Sequence, residues 1–307
     1  MENTYIFGHK SPDTDSIVSS LIVENLERKM GNETAKAYRL GDINKETEYA
    51  LNYFKVQAPE LLEEVKEGEN VILVDHNGFA QSVKGIENAK IQKVIDHHNI
   101  SGIATKDPLF YIAMPVGCTA TILYDLYVMN NIEITKQNAG LMLSAIISDT
   151  LLFKSPTCTP KDIEVANKLK EIAGVDLNEY GLEMLKAGTD LSSFEPKQLI
   201  NIDSKEFNTN GIKYQVAQVN TVSIEDVLKN KEEIETAMNQ YIEESNLDLF
   251  IFAITDILEN NSQVIALGKK VDIVEKAYDK KLENNMCFLP GVVSRKKQIV
   301  PVIDANI

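Results

Sequence analysis

Four short apolar runs, each delivering an acid or an imidazole at its far end, set the terms on which this chain can fold. Lys93-Val94-Ile95-Asp96-His97-His98 is too short for a helix and stops abruptly in an acid and two imidazoles. Tyr5-Ile6-Phe7-Gly8-His9 runs on to Asp13 and Asp15, residues 71–74 end in Asp75 and His76, and residues 143–148 deliver Asp149. All four histidines of the chain lie in these clusters. A strand that leaves a hydrophobic sheet at its carboxyl end, into ligand-type residues, is where open α/β folds carry their chemistry. The chain is therefore expected to be α/β. The spacing from Asp75 to Asp96 predicts a strand, a helix and a next parallel strand.

At 307 residues the chain is long enough for two domains, each with its own core. Its 44% hydrophobic and 25% charged content is that of a water-soluble globular protein. No stretch approaches the roughly 20 apolar residues of a membrane span. Residue Thr4 already opens a strand, with no basic segment and apolar leader before it, so a cytoplasmic protein is expected. Cys118, Cys158 and Cys287 are scattered and odd in number, which indicates neither disulfides nor a zinc ribbon. A formal net charge of −15 argues against nucleic-acid and membrane partners. It leaves room for an anionic substrate, because metals in an acidic cleft can bind phosphate.

Along the chain, periodicity predicts strands at 4–7, 35–38, 71–74 and 111–115 and helices from Ile17, over 45–54, 117–129, 137–147, 160–173 and 177–186. Residues 60–70 read as a charged connector, and Ile163, Ala166 and Leu169 as the inward face of the 160–173 helix. Residues 187–193 lose periodicity and gain small polar residues. The expected division is thus a domain over 1–187, a hinge at 188–193 and a smaller α/β domain over 194–307. In that second domain, strands are expected at 214–219, 249–254 and 263–267, a long helix over 224–245 and a helix at 271–278. Two cationic features stand out there: Lys205, and Ser294-Arg295-Lys296-Lys297 inside an otherwise strand-like apolar run. The triple cation should face solvent or an anion, or block an exposed sheet edge.

In an extended loop Asp13 and Asp15 would point to different sides and could feed two adjacent ions, or Asp15 or Ser16 could simply cap the helix that follows. His97 and His98, consecutive in a strand, would face opposite ways and take different tasks. The amides of 117–121 could approach an anion, although capping by Thr119 or a neighbour is the plainer expectation. Together His9, Asp13, Asp15, Asp75, His97 and Asp149 form a set of hard carboxylates with a minority of imidazoles and no thiolate, which favours manganese, magnesium or cobalt over structural zinc. Six donors are too many for one catalytic ion and suit a pair that acidifies a water between them and binds a phosphoryl oxygen. Phosphoryl transfer also needs cations on the oxygens that gain charge. Since those cations lie in the second domain, the active site is expected in the interdomain cleft.

His9-x-x-x-Asp13-x-Asp15, Asp75-His76, Asp96-His97-His98 and Asp149 resemble the four motifs of the Asp-His-His phosphoesterase superfamily. Ser294-Arg295-Lys296-Lys297, with Lys205, is similar to the second domain of its family II, manganese-dependent inorganic pyrophosphatases. The resemblance covers essentially the whole chain. It implies hydrolysis of pyrophosphate to two phosphates in a cytoplasmic homodimer with a pair of manganese ions per subunit. Cobalt or magnesium are alternatives, and further magnesium can enter with the substrate. It also implies that His9, Asp13 and Asp75 hold one ion and that Asp15, Asp75, His97 and Asp149 hold the other. His98 would then contact substrate, Lys205, Arg295 and Lys296 would bind phosphate oxygens, and His76 and Asp96 would support the ligands. Some relatives carry a regulatory nucleotide-binding insert before the strand ending at Asp75; residues 60–70 leave no room for one. A short-chain exopolyphosphatase shares this type of second domain and is the rival reading. Exonucleases and cyclic-dinucleotide phosphodiesterases bring a histidine-containing motif to the second domain, and this chain has no histidine after His98.

Overall fold

A computed structural model describes residues 3–100, 102–191 and 194–307. The chain divides into two compact units, one ending at Gly188 and the other starting at Thr189. Of the expected hinge, Ser192 and Ser193 lie outside the described residues.

The first unit opens with β1 (Thr4–Phe7), α1 (Thr14–Lys29), β2 (Ala35–Arg39), α2 (Lys45–Tyr53), β3 (Glu60–Leu61), β4 (Asn70–Val74), β5 (Lys90–Asp96) and β6 (Phe110–Ala113). It continues through α3 (Thr119–Met129), α4 (Lys136–Thr150), α5 (Pro160–Ala173) and α6 (Leu177–Gly188). Its six strands form one sheet in the order β3-β2-β1-β4-β5-β6, and every neighbouring pair is parallel. The central strand β4, Asn70-Val71-Ile72-Leu73-Val74, is buried along its whole length, as expected of a strand covered on both faces. Phe7, Leu73 and Val94 pack on one face with Val65, Val83 and Ile86 from the connections, and α1 lies against β1, β2 and β4.

The link from β4 to β5 differs from the expected helix: it consists of two single 3₁₀ turns, Phe79–Gln81 and Ile86–Asn88. Gly85 explains the change. It takes φ +88°, and a Cβ there would sit 2.1 Å from the Val65 carbonyl oxygen, so only glycine fits and no helix runs through it. Residues 60–61, expected as connector, add the short edge strand β3. Ile163 is 40% exposed, and the inward face of α5 instead carries Asp162, Val165, Ala166 and Leu169.

The second unit comprises α7 (Pro196–Leu199), β7 (Ser204–Thr209), β8 (Ile212–Thr221), α8 (Ile224–Leu228), α9 (Lys231–Ser245), β9 (Leu249–Asp256), β10 (Asn261–Gly268), α10 (Asp272–Tyr278), β11 (Met286–Pro290) and α11 (Val300–Asp304). Its five strands are ordered β11-β10-β9-β8-β7. Only β8 and β9 pair in parallel, and the remaining pairs are antiparallel. Apolar residues cover both faces: Phe250 and Phe252 pack with Ile234 and Met238 of α9, and Val216 and Ile251 pack with Ile273, Ile299 and Ile303. The long helix expected over 224–245 breaks at Lys229-Asn230, because asparagine favours local turns over helix interiors. The cationic segment is not a strand. Arg295–Ile299 forms a π-helical turn that runs into α11, and Ile299 and Ile303 bury on helical spacing, so an edge-blocking role is removed.

Asp162 ties α5 to the loop before α3. Fully buried, it accepts hydrogen bonds from the Gly117 amide at 2.8 Å, the Thr121 hydroxyl at 2.6 Å and both the amide and hydroxyl of Thr159. Asp162→Ala would strand these donors in the core and is expected to cost about 2 to 4 kcal/mol. Urea unfolding checks this; an unchanged midpoint would remove Asp162 from the packing of this unit.

Candidate metal centre

The first sheet reverses its strand order between β1 and β4, which is where open parallel sheets leave a crevice at their carboxyl ends. His9 and Asp13 follow β1, Asp75 follows β4, and His97 and His98 follow β5. Asp15 and Asp149 arrive differently. Asp15 sits in the first turn of α1 rather than in an extended loop, and Asp149 in the last turn of α4 rather than at a strand end. Helix α1 is capped by Asp13, not by Asp15 or Ser16: its Oδ1 accepts from the Ser16 amide at 2.9 Å. A Cβ on Gly8 would lie 1.8 Å from the Ser16 hydroxyl oxygen, and that close approach lets this oxygen accept from the His9 amide at 2.9 Å. Asp75 lies in the left-handed region, at φ 49°, a conformation that costs a non-glycine residue of order 1 kcal/mol or more.

The side chains converge. His9 Nε2 is 3.4 Å from Asp13 Oδ2 and 3.4 Å from Asp75 Oδ2. His97 Nε2 is 3.4 Å from Asp75 Oδ1 and 3.7 Å from Asp149 Oδ2. Two donor groups, His9-Asp13-Asp75 and Asp15-His97-Asp149, each gather their atoms within 4.8 Å of one another. The structure thus brings together all six donor residues expected from the sequence, with Asp75 between the groups. The His97 ring lies near the Val116 carbonyl, Nδ1 to oxygen 3.0 Å. Donation there leaves the Nε2 lone pair for a ligand bond. His97 and His98 do not point to opposite faces, since both lie past the end of β5 and their ring centroids are 4.2 Å apart. His98 is half-exposed, with Nδ1 2.9 Å from Asp96 Oδ1, while Asp96 Oδ2 accepts from the Asn77 amide group at 2.6 Å. His76 turns away, between the Val74 carbonyl at 2.9 Å and the Ser82 hydroxyl at 3.2 Å.

The amides that open α3 do meet an anion, and it is Asp15. The Thr119 amide donates to Asp15 Oδ2 at 2.7 Å and the Ala120 amide to Oδ1 at 3.2 Å, while Cys118, the capping residue by position, makes no side-chain cap bond. The Ser19 hydroxyl donates to Asp15 Oδ1 at 2.8 Å. A residue that the sequence did not single out, Glu46 of α2, accepts from Thr14, between Asp13 and Asp15, at 2.9 Å and from Ser148, beside Asp149. Neither contact had a sequence signal, because each joins elements remote in the chain.

The charges strain against one another. Burial and the nearby Asp75 charge raise Asp15 to about 6. Burial, then Asp15 and Asp75, push Asp149 well above the carboxylate range. Burial would raise Asp75 too, but His9 and His97 hold it down at about 2. Those imidazoles, which burial alone would lower, are lifted by their carboxylate partners to about 10 for His9 and about 9 for His97. Asp75 Oδ2 is buried without a hydrogen-bond partner. An orphaned carboxylate oxygen among like charges fits a cation. Burial raises the Cys118 thiol well above its usual range, so it stays protonated and the donor set remains oxygen and nitrogen, as suits manganese.

Residues 3–146 match the DHH family, N-terminal domain, and residues 182–306 match the DHHA2 domain. The chain is 55% identical to a manganese-dependent inorganic pyrophosphatase of Bacillus subtilis, an alignment covering 99% of this chain and 98% of the relative. The chain belongs to the manganese-dependent inorganic pyrophosphatase family. A probable member from an Exiguobacterium species is 56% identical, with the same coverage. A crystal structure from Methanococcus jannaschii, described as of a family II inorganic pyrophosphatase, is 42% identical over 99% of both chains, with a TM-score of 0.63.

In this family member the cations expected from the sequence belong to the second unit. Lys205 lies on β7, its Nζ 5.8 Å from the Phe207 ring centre. Arg295 Nη2 is 2.7 Å from Asp203 Oδ1 and its Nη1 donates to the Asp203 carbonyl at 2.6 Å. Among the described residues no helix is long and apolar enough to cross a membrane.

The proton load predicts how manganese enters. With no metal bound, His9 and His97 hold protons up to about 10 and about 9, and Asp15 up to about 6. A raised pKa means that the proton competes with the metal until the pH passes it. Manganese affinity should therefore climb as pH rises from about 6 to 9, with protons released on binding. Calorimetry in two buffers of different ionisation enthalpy checks this, and identical heats in both would contradict it.

Proposed function

We propose that this chain hydrolyses inorganic pyrophosphate to two phosphates, with a pair of manganese ions held at the ends of β1, β4 and β5. The observation that carries the reading is the pair of donor groups, His9-Asp13-Asp75 and Asp15-His97-Asp149, with Asp75 within 3.4 Å of both His9 and His97, in a chain more than half identical to manganese-dependent inorganic pyrophosphatases along its length. His9, Asp13 and Asp75 would hold one ion and Asp15, Asp75, His97 and Asp149 the other. Bound there, the metals supply Lewis acidity toward phosphoryl oxygens and acidify the attacking water.

The chain's own groups supply the rest. Asp75, in reach of both His9 and His97, would serve both positions. Donation from the His98 ring to Asp96, aided by the carboxylate charge, raises the His98 pKa. In the protonated ring Nε2 carries a second proton, which can pass to the departing phosphate. Lys205, Arg295 and Lys296 neutralise the charge on phosphate oxygens, and Arg295 offers the planar fork suited to two of them. The reading carries with it a cytoplasmic homodimer.

The test is phosphate release by metal-stripped protein reloaded with manganese, with pyrophosphate, tripolyphosphate and a dinucleotide as parallel substrates. Pyrophosphate is expected to be cleaved at least a hundredfold faster than the others; preference for tripolyphosphate would reassign the substrate. Asp75→Asn is expected to weaken manganese binding at both positions and to lower kcat by about 10²-fold or more. Unchanged stoichiometry and rate would remove this shared role.

A further inference from the structure

Gln218 lies on β8, nine-tenths buried, outside every motif singled out in the sequence. All of its polar groups are engaged. Its side-chain oxygen accepts from the Arg295 backbone amide at 3.0 Å, and its Nε2 donates to the Val293 carbonyl at 3.0 Å and to the Thr255 hydroxyl at 2.8 Å. A backbone amide can only donate and a carbonyl can only accept, so the orientation of the Gln218 amide is fixed by its partners. The side chain thus clamps residues 293 and 295 as a neighbouring strand would.

The backbone of Gln218 grips the other cation-bearing segment. Its amide donates to the Asp203 carbonyl at 2.9 Å, the same oxygen that accepts from Arg295 Nη1 at 2.6 Å. Asp203 leads directly into β7, where Lys205 pairs in register with Val216 of β8. One residue therefore fixes both the start of β7 and the backbone of Arg295. Beneath it, the Thr255 hydroxyl meets that of Ser262 at 2.8 Å, and Ser262 donates to the Val292 carbonyl at 2.7 Å. This buried polar row extends the clamp under residues 292–295.

We propose that Gln218 is a positioning residue that sets the spacing of Arg295 and Lys205 for a diphosphate anion. The proposal rests on the reading of those cations as phosphate ligands. Long cationic side chains lose affinity when the backbone beneath them wanders, and a satisfied buried amide prevents that.

The experiment measures KM, kcat and manganese affinity for Gln218→Leu, Gln218→Glu, Arg295→Ala and the double variant Gln218→Leu/Arg295→Ala, all in the full-length manganese enzyme with pyrophosphate. Gln218→Leu removes all three side-chain bonds, and Gln218→Glu keeps the shape but sets an oxygen against the Val293 carbonyl. Each is expected to raise KM about tenfold, with kcat within about twofold of the parent and manganese affinity unchanged. In the double variant the increases in KM should not multiply, because Gln218 acts through Arg295. Thermal unfolding confirms that each variant folds, and Gln218→Glu decides the matter if Gln218→Leu does not. Multiplying effects, an unaltered KM in a folded Gln218 variant, or a parallel fall in manganese affinity would overturn the proposal. If Arg295→Ala itself left KM unchanged, the phosphate-ligand reading would fail first and this proposal with it.

Discussion

Mutual repulsion among the buried carboxylates of the first unit governs much of the structure around them. Burial and then the Asp75 charge raise the proton affinity of Asp15, burial and then Asp15 and Asp75 raise that of Asp149, and His9 and His97 keep Asp75 ionised against its own burial. Close acids in a low-dielectric site cannot all ionise without positive charge beside them. The fold holds the arrangement by anchoring each acid separately. Asp13 is held by the start of α1, Asp15 by the amides opening α3 and by Ser19, and Asp75 by its backbone amide, which donates to the Ile95 carbonyl at 2.9 Å. Backbone dipoles thereby supply part of the positive potential that side-chain cations would otherwise provide.

The double engagement of Asp15 joins folding to chemistry. A helix start usually satisfies its free amides with a local cap. Here a residue more than a hundred positions earlier does so, so the docking of α3 onto α1 and the orientation of a carboxylate of the donor set are one event. His97 shows the same economy: the ring is oriented by the Val116 carbonyl, one residue before the Gly117 amide that Asp162 holds. Packing of α5 is thus transmitted through Asp162 to the edge of the site. Such supports fix the angle of a ligand-type ring before any metal arrives.

How legible all this was in the sequence depends on how local each signal is. Strands β1, β4 and β5 announce themselves as short apolar runs, and their terminal acids and imidazoles follow directly, so the parallel sheet and the donor set could both be read. Three features could not. The 3₁₀ link after β4 depends on Gly85 packing against the Val65 carbonyl, a contact across the fold. The apolar residues 299–302 look like a strand because periods of 2 and 3.6 cannot be told apart over so few positions; burial of Ile299 and Ile303 one helical turn apart settles it. Glu46 and Gln218 bear no motif, and their partners are brought to them only by the tertiary fold. Asp149 was legible as an acid after an apolar run, but its place in the last turn of α4 followed from the helical pattern of 137–147 and not from its likeness to the strand-end acids.

The two units solve opposite problems with different devices. Short carboxylates and imidazoles need only a strand end or helix turn to aim them, since few rotatable bonds separate donor atom from backbone. Lysine and arginine carry about 2 kcal/mol of rotamer entropy each, so aiming the backbone is not enough. For Arg295 the second unit does both: residues 293–295 are clamped from below by Gln218 and from the side by Gln298, whose Oε1 accepts from the amides of Val293 and Ser294, and Asp203 holds the guanidinium itself. An arginine already fixed in one rotamer surrenders less freedom when an anion arrives. The acid that holds it also sets a threshold, because an incoming anion must offer more than one carboxylate and one carbonyl do. On the proposed reading of Arg295 as a phosphate ligand, a multiply charged diphosphate would clear that threshold more readily than a singly charged anion, and the pairing with Asp203 would bear on selectivity as well as on order.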